Sequence, residues 1–475
     1  SASPPPSGDG WGRLNRNNGR KVGGYRESRK QNWDIMLAMN GKEMKQYLYW
    51  RTPKGKSDRV NAPTHLLAEF GRISKVNSQG EVSWEGFSFK RLEIAIKLIA
   101  VVIGPDGEEL DETDTWCNIV EPALIDAVKK NGGEKPLRVD EVTKIADTKA
   151  AKFFQQKNET YILVSSLSVK SLPFKEIKVA GCMIKPLCSR RGYSYPDQIQ
   201  DQVSTTIAEH INTTKYQHVM VKTSGKSIYE AADKALRSLH FLRGLWSFFA
   251  TNGSWSMTLG RTMQEPIGVI FTGPIHTLHN MKKELSCNEY WYSRIVKEDR
   301  NLFPTNGNWG KIEKNRRLAM KLICSLPFMK DMEDLIIRYA TVLDQTDHDV
   351  AFLHLWSMLE KITNTVGANY DETLKRSTWI YKDRHFTKNL LESLRLQRNL
   401  YVHSARSSEE PDQVLYLMKS FVDNHLIRLI RNDFHVESLE EYGQVLSQPT
   451  DLATLEKNKK RAEQALRFLS QRKKK

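Results

Sequence analysis

A chain of 475 residues is too long for a single hydrophobic core, and 39% apolar residues with 11 tryptophans exclude a disordered chain. The formal net charge of +16 is uneven: residues 1–60 hold 13 Lys/Arg against 5 Asp/Glu, residues 456–475 hold 9 against 2, and the rest is nearly neutral. Such a distribution fits basic arms that tether phosphate, or tails that keep a protein soluble, better than one broad nucleic-acid surface.

The five cysteines (Cys117, Cys182, Cys188, Cys287 and Cys324) are irregularly spaced and none forms Cys-x2-Cys. That argues against a disulfide framework or a zinc site and fits a reducing, cytoplasmic setting. No secretory leader or membrane span is expected, because the longest apolar run, Leu92 to Ile103, is short and contains Glu93 and Lys97.

In chain order, residues 1–32 read as a flexible basic arm rich in Ser, Pro, Gly and Arg. Residues 33–311 read as a mixed α/β region with a candidate break near 200–215. Ile94 to Ile103 reads as a buried strand followed by the turn Gly104-Pro105-Asp106-Gly107. A helix is expected from Asp140 to Phe154, and strands over Tyr161–Val169, Ile177–Ile184 and His218–Val221. Ser227 to Phe249 carries apolar residues at helical spacing, with Ser224 or Ser227 as cap; Gly253 to Gly273 reads as strands or loops.

From residue 312 the pattern is helical. Helices are expected over Met332–Leu343, His348–Thr365 (Asp347 as cap, Gly367 as stop), Phe386–Ser404, Asp412–Arg431 after Pro411, and Asp451–Gln471. His348–Thr365 is apolar on most faces and should lie in a core. The fold class is therefore α+β: an N-terminal mixed α/β region followed by a C-terminal antiparallel helical bundle over 312–475.

Three chemical signals are weak. Ser224-Gly225-Lys226-Ser227 lacks the first glycine of a phosphate-binding loop, since Met220 stands there. His276 and His279 have no third ligand at metal spacing and read as loop residues. Tyr290-Trp291-Tyr292-Ser293-Arg294, with Lys282, Lys283 and Lys297 nearby, could stack bases but reads better as packing.

The strongest signal is Arg398-Asn399-Leu400-Tyr401-Val402-His403. A guanidinium holds a phosphate with two parallel hydrogen bonds, and an imidazole moves protons near neutral pH. Together they can break RNA through the ribose 2′-hydroxyl without a cofactor. From the spacing alone, a solvated helix face is the better description. Asn399 and His403 share a face, whereas Arg398 lies about 140° from His403 around an ideal helix.

Leu355-Trp356-Ser357-Met358-Leu359-Glu360 in one helix, followed by this Arg-x4-His segment at the end of the next, resembles a HEPN domain. More specifically, it resembles the ApeA-like HEPN group of bacterial anti-phage defence proteins, over about residues 332–475. The resemblance implies a metal-independent endoribonuclease that works as a homodimer, needs no cofactor and acts on RNA, with tRNA a candidate. It also implies products with a 2′,3′-cyclic phosphate and a 5′-hydroxyl, and growth arrest after a phage-derived trigger. In that reading Arg398 grips the phosphate, His403 transfers protons and Asn399 orients the substrate. Glu360 fixes Arg398 or His403, or is a solvated partner of Lys361 or Lys382. Arg395, Tyr401, Arg406 and Lys473 are candidate RNA contacts. Two other readings stay open: a non-catalytic RNA-binding or scaffold protein, and a helical partner-binding domain.

Overall fold

The computed structural model describes residues 63–84, 87–100, 110, 112–190, 192–196, 199, 215–252, 266–293, 302–303, 307–367, 370–404 and 406–472. The basic arm, the Gly104–Gly107 turn, Arg294, Lys297 and Lys473 lie outside these residues. The chain divides into two compact units, Ser1–Gln156 and Lys157–Lys475.

In the first unit, α1 (Thr64–Ile73) leads into an antiparallel hairpin of β1 (Ser74–Val76) and β2 (Val82–Trp84). The hairpin turn is closed by the Asn77 side chain, which accepts from the Gln79 and Glu81 amides, with Gly80 at φ +78°. Next comes α2 (Phe87–Ile99). The strand expected over Ile94–Ile103 is thus a helix as far as Ile99. Its isoleucines suggested a strand, but Glu93 and Lys97 are spaced i,i+4, and Ile94 and Leu98 are exposed at 49% and 77%. A π-helical turn, Thr115–Val120, runs into α3 (Glu121–Asn131). Pro122 sits in the first turn of α3 and has no N–H to give, so the α-helical ladder is interrupted there. The last element of this unit, α4 (Val139–Gln155), covers the predicted helix and packs Val142, Ala146 and Phe153 into the unit's own core.

The second unit is built on a six-stranded antiparallel sheet of β3 (Glu159–Leu167), β4 (Ile177–Val179), β5 (Cys182–Pro186), β6 (Gln217–Gly225), β7 (Ile275–His279) and β8 (Trp291–Tyr292), in the order β4-β5-β6-β3-β7-β8. The single strand expected over Ile177–Ile184 is a hairpin, turned at Ala180 and Gly181, both with positive φ. His276 and His279 belong to β7, not to a loop. On one face, Leu163 and Leu167 of β3 with Val219 and Val221 of β6 share a core with Ala235, Leu239, Leu242 and Trp246 of α5 (Ile228–Thr251). Ser227 caps α5 by accepting from the Glu230 amide, and Glu230 answers on the Lys226 amide.

Helices follow: α6 (Trp309–Cys324), α7 (Met329–Leu343), α8 (His348–Ile362), α9 (Tyr370–Thr378), α10 (Arg384–Ser404), α11 (Pro411–Arg431), α12 (Leu439–Leu446) and α13 (Leu452–Arg472). Asp347 caps α8 as expected, accepting from the Val350 amide. The helix nevertheless ends at Ile362, short of Gly367, because Asn364 already takes positive φ. The α8 core reading holds: Phe352, Leu355, Trp356, Leu359 and Ile362 are buried.

Buried polar groups tie these elements. Arg243 of α5, 1% exposed, donates to both carboxylate oxygens of Asp344 at 2.9 and 2.7 Å and to the Ile270 carbonyl at 3.1 Å. Lys419 binds Asp423 at 2.6 Å and the Thr251 carbonyl at 3.1 Å, while the Tyr339 hydroxyl donates to Asp423 at 2.7 Å. His425 gives its Nε2 proton to the Ser377 carbonyl and accepts from the Tyr442 hydroxyl. That pairing uses the neutral imidazole, and burial lowers the His425 pKa to about 4.

Two outcomes follow. Adding a methyl at Gly244 places a Cβ 2.6 Å from the Ile336 carbonyl, so Gly244→Ala should lower stability by about 1–3 kcal/mol in urea unfolding. His425, and His276 with its pKa lowered by burial to about 3, stay neutral in the fold but charge near pH 6.5 once unfolded. The unfolded chain therefore binds the extra protons. Stability is full above pH 6.5 and should fall by about 2 kcal/mol per histidine on going to pH 5, read as the urea midpoint against pH.

Candidate functional site

The C-terminal turns of α10 carry the Arg-x4-His segment. Leu391 and Leu394 anchor the helix and are buried, but from Leu396 onward it rises to the surface: Leu396, Leu400 and Val402 are exposed at 53%, 42% and 47%. Leu396, Asn399, Leu400 and His403 recur at three- and four-residue spacing and so share one face. His403 is exposed and, among the described residues, makes no hydrogen bond or ion pair.

Arg398 lies on the other side, at the azimuth of Leu391 and Leu394. Its guanidinium stands 5.2 Å from the ring centre of Tyr370 in α9, and its Nη1 donates to the Asn399 amide oxygen at 3.2 Å. Tyr370 meets Trp356 of α8 edge-on, with 6.4 Å between ring centres, and the Trp356 indole donates to Glu360 Oε1 at 2.8 Å. Glu360, Trp356, Tyr370 and Arg398 therefore form one chain of contacts across α8, α9 and α10. The chain brings Glu360 and Arg398 to the same cluster without an ion pair between them. Within one copy, Arg398 and His403 do not converge, as the helical geometry predicts.

The other candidate residues have local partners. Arg395 pairs with Glu392 on its own helix, and Arg406 lies 3.9 Å from Glu409. Tyr401 is half-buried and turned toward the start of α8; its phenol pKa is raised by burial and then by Asp347 and Asp349. The sequence reading missed Tyr370 and Trp356 as the groups that position Arg398 and Glu360. The i,i+4 spacing of Trp356 and Glu360 was a usable signal, whereas Tyr370 follows a segment read as a stop.

Compared with family models, curated proteins and solved structures, the chain matches none. Replacing the indole N–H by Trp356→Phe leaves the Glu360 carboxylate without its donor. It should cost about 1–2 kcal/mol of stability in chemical denaturation, with the helical circular dichroism unchanged.

Proposed function

We propose that this protein is a metal-independent endoribonuclease of the HEPN kind, active as a homodimer on RNA, with tRNA as the first substrate to test. The observation that carries the reading is the exposed end of α10. Among the described residues, a histidine with no hydrogen bond or ion pair stands beside two exposed leucines, and an arginine is held by a ring and an amide, with no carboxylate on it. The angle between Arg398 and His403 prevents one copy from aiming both at one phosphate. A second copy packed across Leu396 and Leu400 under two-fold symmetry supplies the missing geometry.

In this mechanism Arg398 neutralises the scissile phosphate with paired N–H donors. One His403 withdraws the proton of the 2′-hydroxyl, and its symmetry mate protonates the departing 5′-oxygen. The new bond joins the 2′-oxygen to phosphorus and the broken bond frees the 5′-hydroxyl, so the product is a cyclic phosphate. Asn399 orients either Arg398 or the phosphate. Glu360 acts through Trp356 and Tyr370 as a positioning residue. Use of this cut for growth arrest during phage infection belongs to the same proposal and rests on the family resemblance.

The test is incubation of the full chain with total tRNA in EDTA, followed by mapping of fragment ends. Arg398→Ala and His403→Ala should each lower cleavage at least 100-fold with circular dichroism unchanged. Leu400→Glu should shift the light-scattering mass to that of a monomer and remove cleavage with it. Cleavage at the normal rate by a folded His403→Ala protein overturns the reading. If RNA binding persists and no cleavage is ever seen, the non-catalytic alternative replaces it.

A further inference from the structure

The face of the sheet turned away from α5 holds an arrangement that the ribonuclease reading does not use. The register of β3, β6 and β7 places Ile162, Val164, His218, Met220, Thr277 and His279 on that side. Ile162 and Val164 form a small core there with Tyr193 from the segment after β5. From the same segment, Arg190 reaches down to the sheet. Its Nη2 donates to the Thr277 hydroxyl, and its guanidinium lies 3.8 Å from the ring centre of Tyr195.

Among the described residues no carboxylate pairs with Arg190, and its Nε is buried without an acceptor. The deeply buried guanidiniums of this unit are built differently from half-buried Arg190: Arg243 is forked onto Asp344, and Arg316 onto Glu313. Around Arg190 the histidines are neutral. His276 is saturated by the Ser165 and Ser293 hydroxyls, while His218 and His279 have lowered pKa values, through burial first and the Arg190 charge second. Even a half-buried cation among neutral groups is stabilised when an anion joins it.

The Thr277 hydroxyl also lies 2.8 Å from His279 Nε2, and the Lys283 carbonyl approaches the His279 ring. His279 Nδ1 is buried without a hydrogen-bond partner. At the rim, the Lys283 ammonium stands 5.4 Å from the ring centre of Tyr193, and it too lacks an ion pair among the described residues.

We propose that Arg190 is the centre of a binding site for a phosphate group, on the sheet face opposite α5. Arg190 supplies directed N–H donors. Lys283 supplies a second positive charge, so a dianion balances the site better than a carboxylate does. Tyr193 and Tyr195 offer rings against which the organic part of a phosphate ester can rest. This assignment is independent of the α10 chemistry.

The experiment is calorimetric titration of the full chain with inorganic phosphate, adenosine monophosphate and acetate at matched ionic strength. Phosphate should bind saturably and acetate should not. Arg190→Gln should weaken phosphate at least tenfold, and Arg190→Lys should recover part of that loss. Tighter binding of the nucleotide than of phosphate assigns an ester ligand, and equal binding assigns free phosphate; either supports the site. No saturable phosphate binding by the unaltered chain, equal binding of acetate, or unchanged affinity in Arg190→Gln overturns it. If Arg190→Gln does not fold, the exposed Lys283→Ala decides, and unchanged phosphate affinity in that variant overturns the proposal.

Discussion

The second unit depends on one buried fork. Arg243 leaves the middle of α5 and engages both oxygens of Asp344, the residue that closes α7, while also holding the Ile270 carbonyl. Burial raises the Asp344 pKa and Arg243 opposes that shift, so each charge is tolerable only because the other is present. The neighbouring Gly244 lets the α5 and α7 backbones close on each other, since any side chain there meets Ile336. The sheet on one side of α5 and the helices on the other thereby become one core. The contribution is mainly to register: a one-residue slip of α5 would bury an unpaired guanidinium and an unpaired carboxylate together. The Lys419–Asp423–Tyr339 contact sets the same constraint between α11, α7 and the end of α5.

The legible parts of this fold are those whose signals are local. Asp347 and Ser227 announced their helices because a cap bonds within its own first turn. Helices α8, α10 and α11 were readable from long apolar periodicity. In contrast, α9 presents one short polar turn pair, with Thr373, Leu374 and Ser377 as its buried side, too little to stand out. For α2 the density of isoleucine outweighed charge spacing in the reading, and the fold decided otherwise. Arg190 was not legible at all: its partner Thr277 is 87 positions away, and only the sheet register brings them together.

The candidate site divides in the same way. The residue types of Arg398 and His403 were visible because they are contiguous on one helix, and so was the angle between them. What holds Arg398 was not visible, because Tyr370 reaches it from a different helix.

Two ways of holding an arginine recur, and they separate guanidiniums whose charge is cancelled from ones that keep it. Arg243, Arg316 and Arg376 are each bound to a carboxylate, which cancels their charge and spends their donors. Arg190 and Arg398 rest instead against the tyrosine rings of Tyr195 and Tyr370, each with one neutral hydrogen-bond acceptor among the described residues. An aromatic face orients a guanidinium without neutralising it, and leaves the edge N–H groups to point elsewhere. The field of such an arginine extends outward, and its remaining donors match an oxyanion in shape. A carboxylate in place of either ring would fix the side chain as well or better, but would compete with phosphate for the same donors. The choice of ring over carboxylate at these two positions is the physical ground of both proposals, one for a scissile phosphate and the other for a bound one.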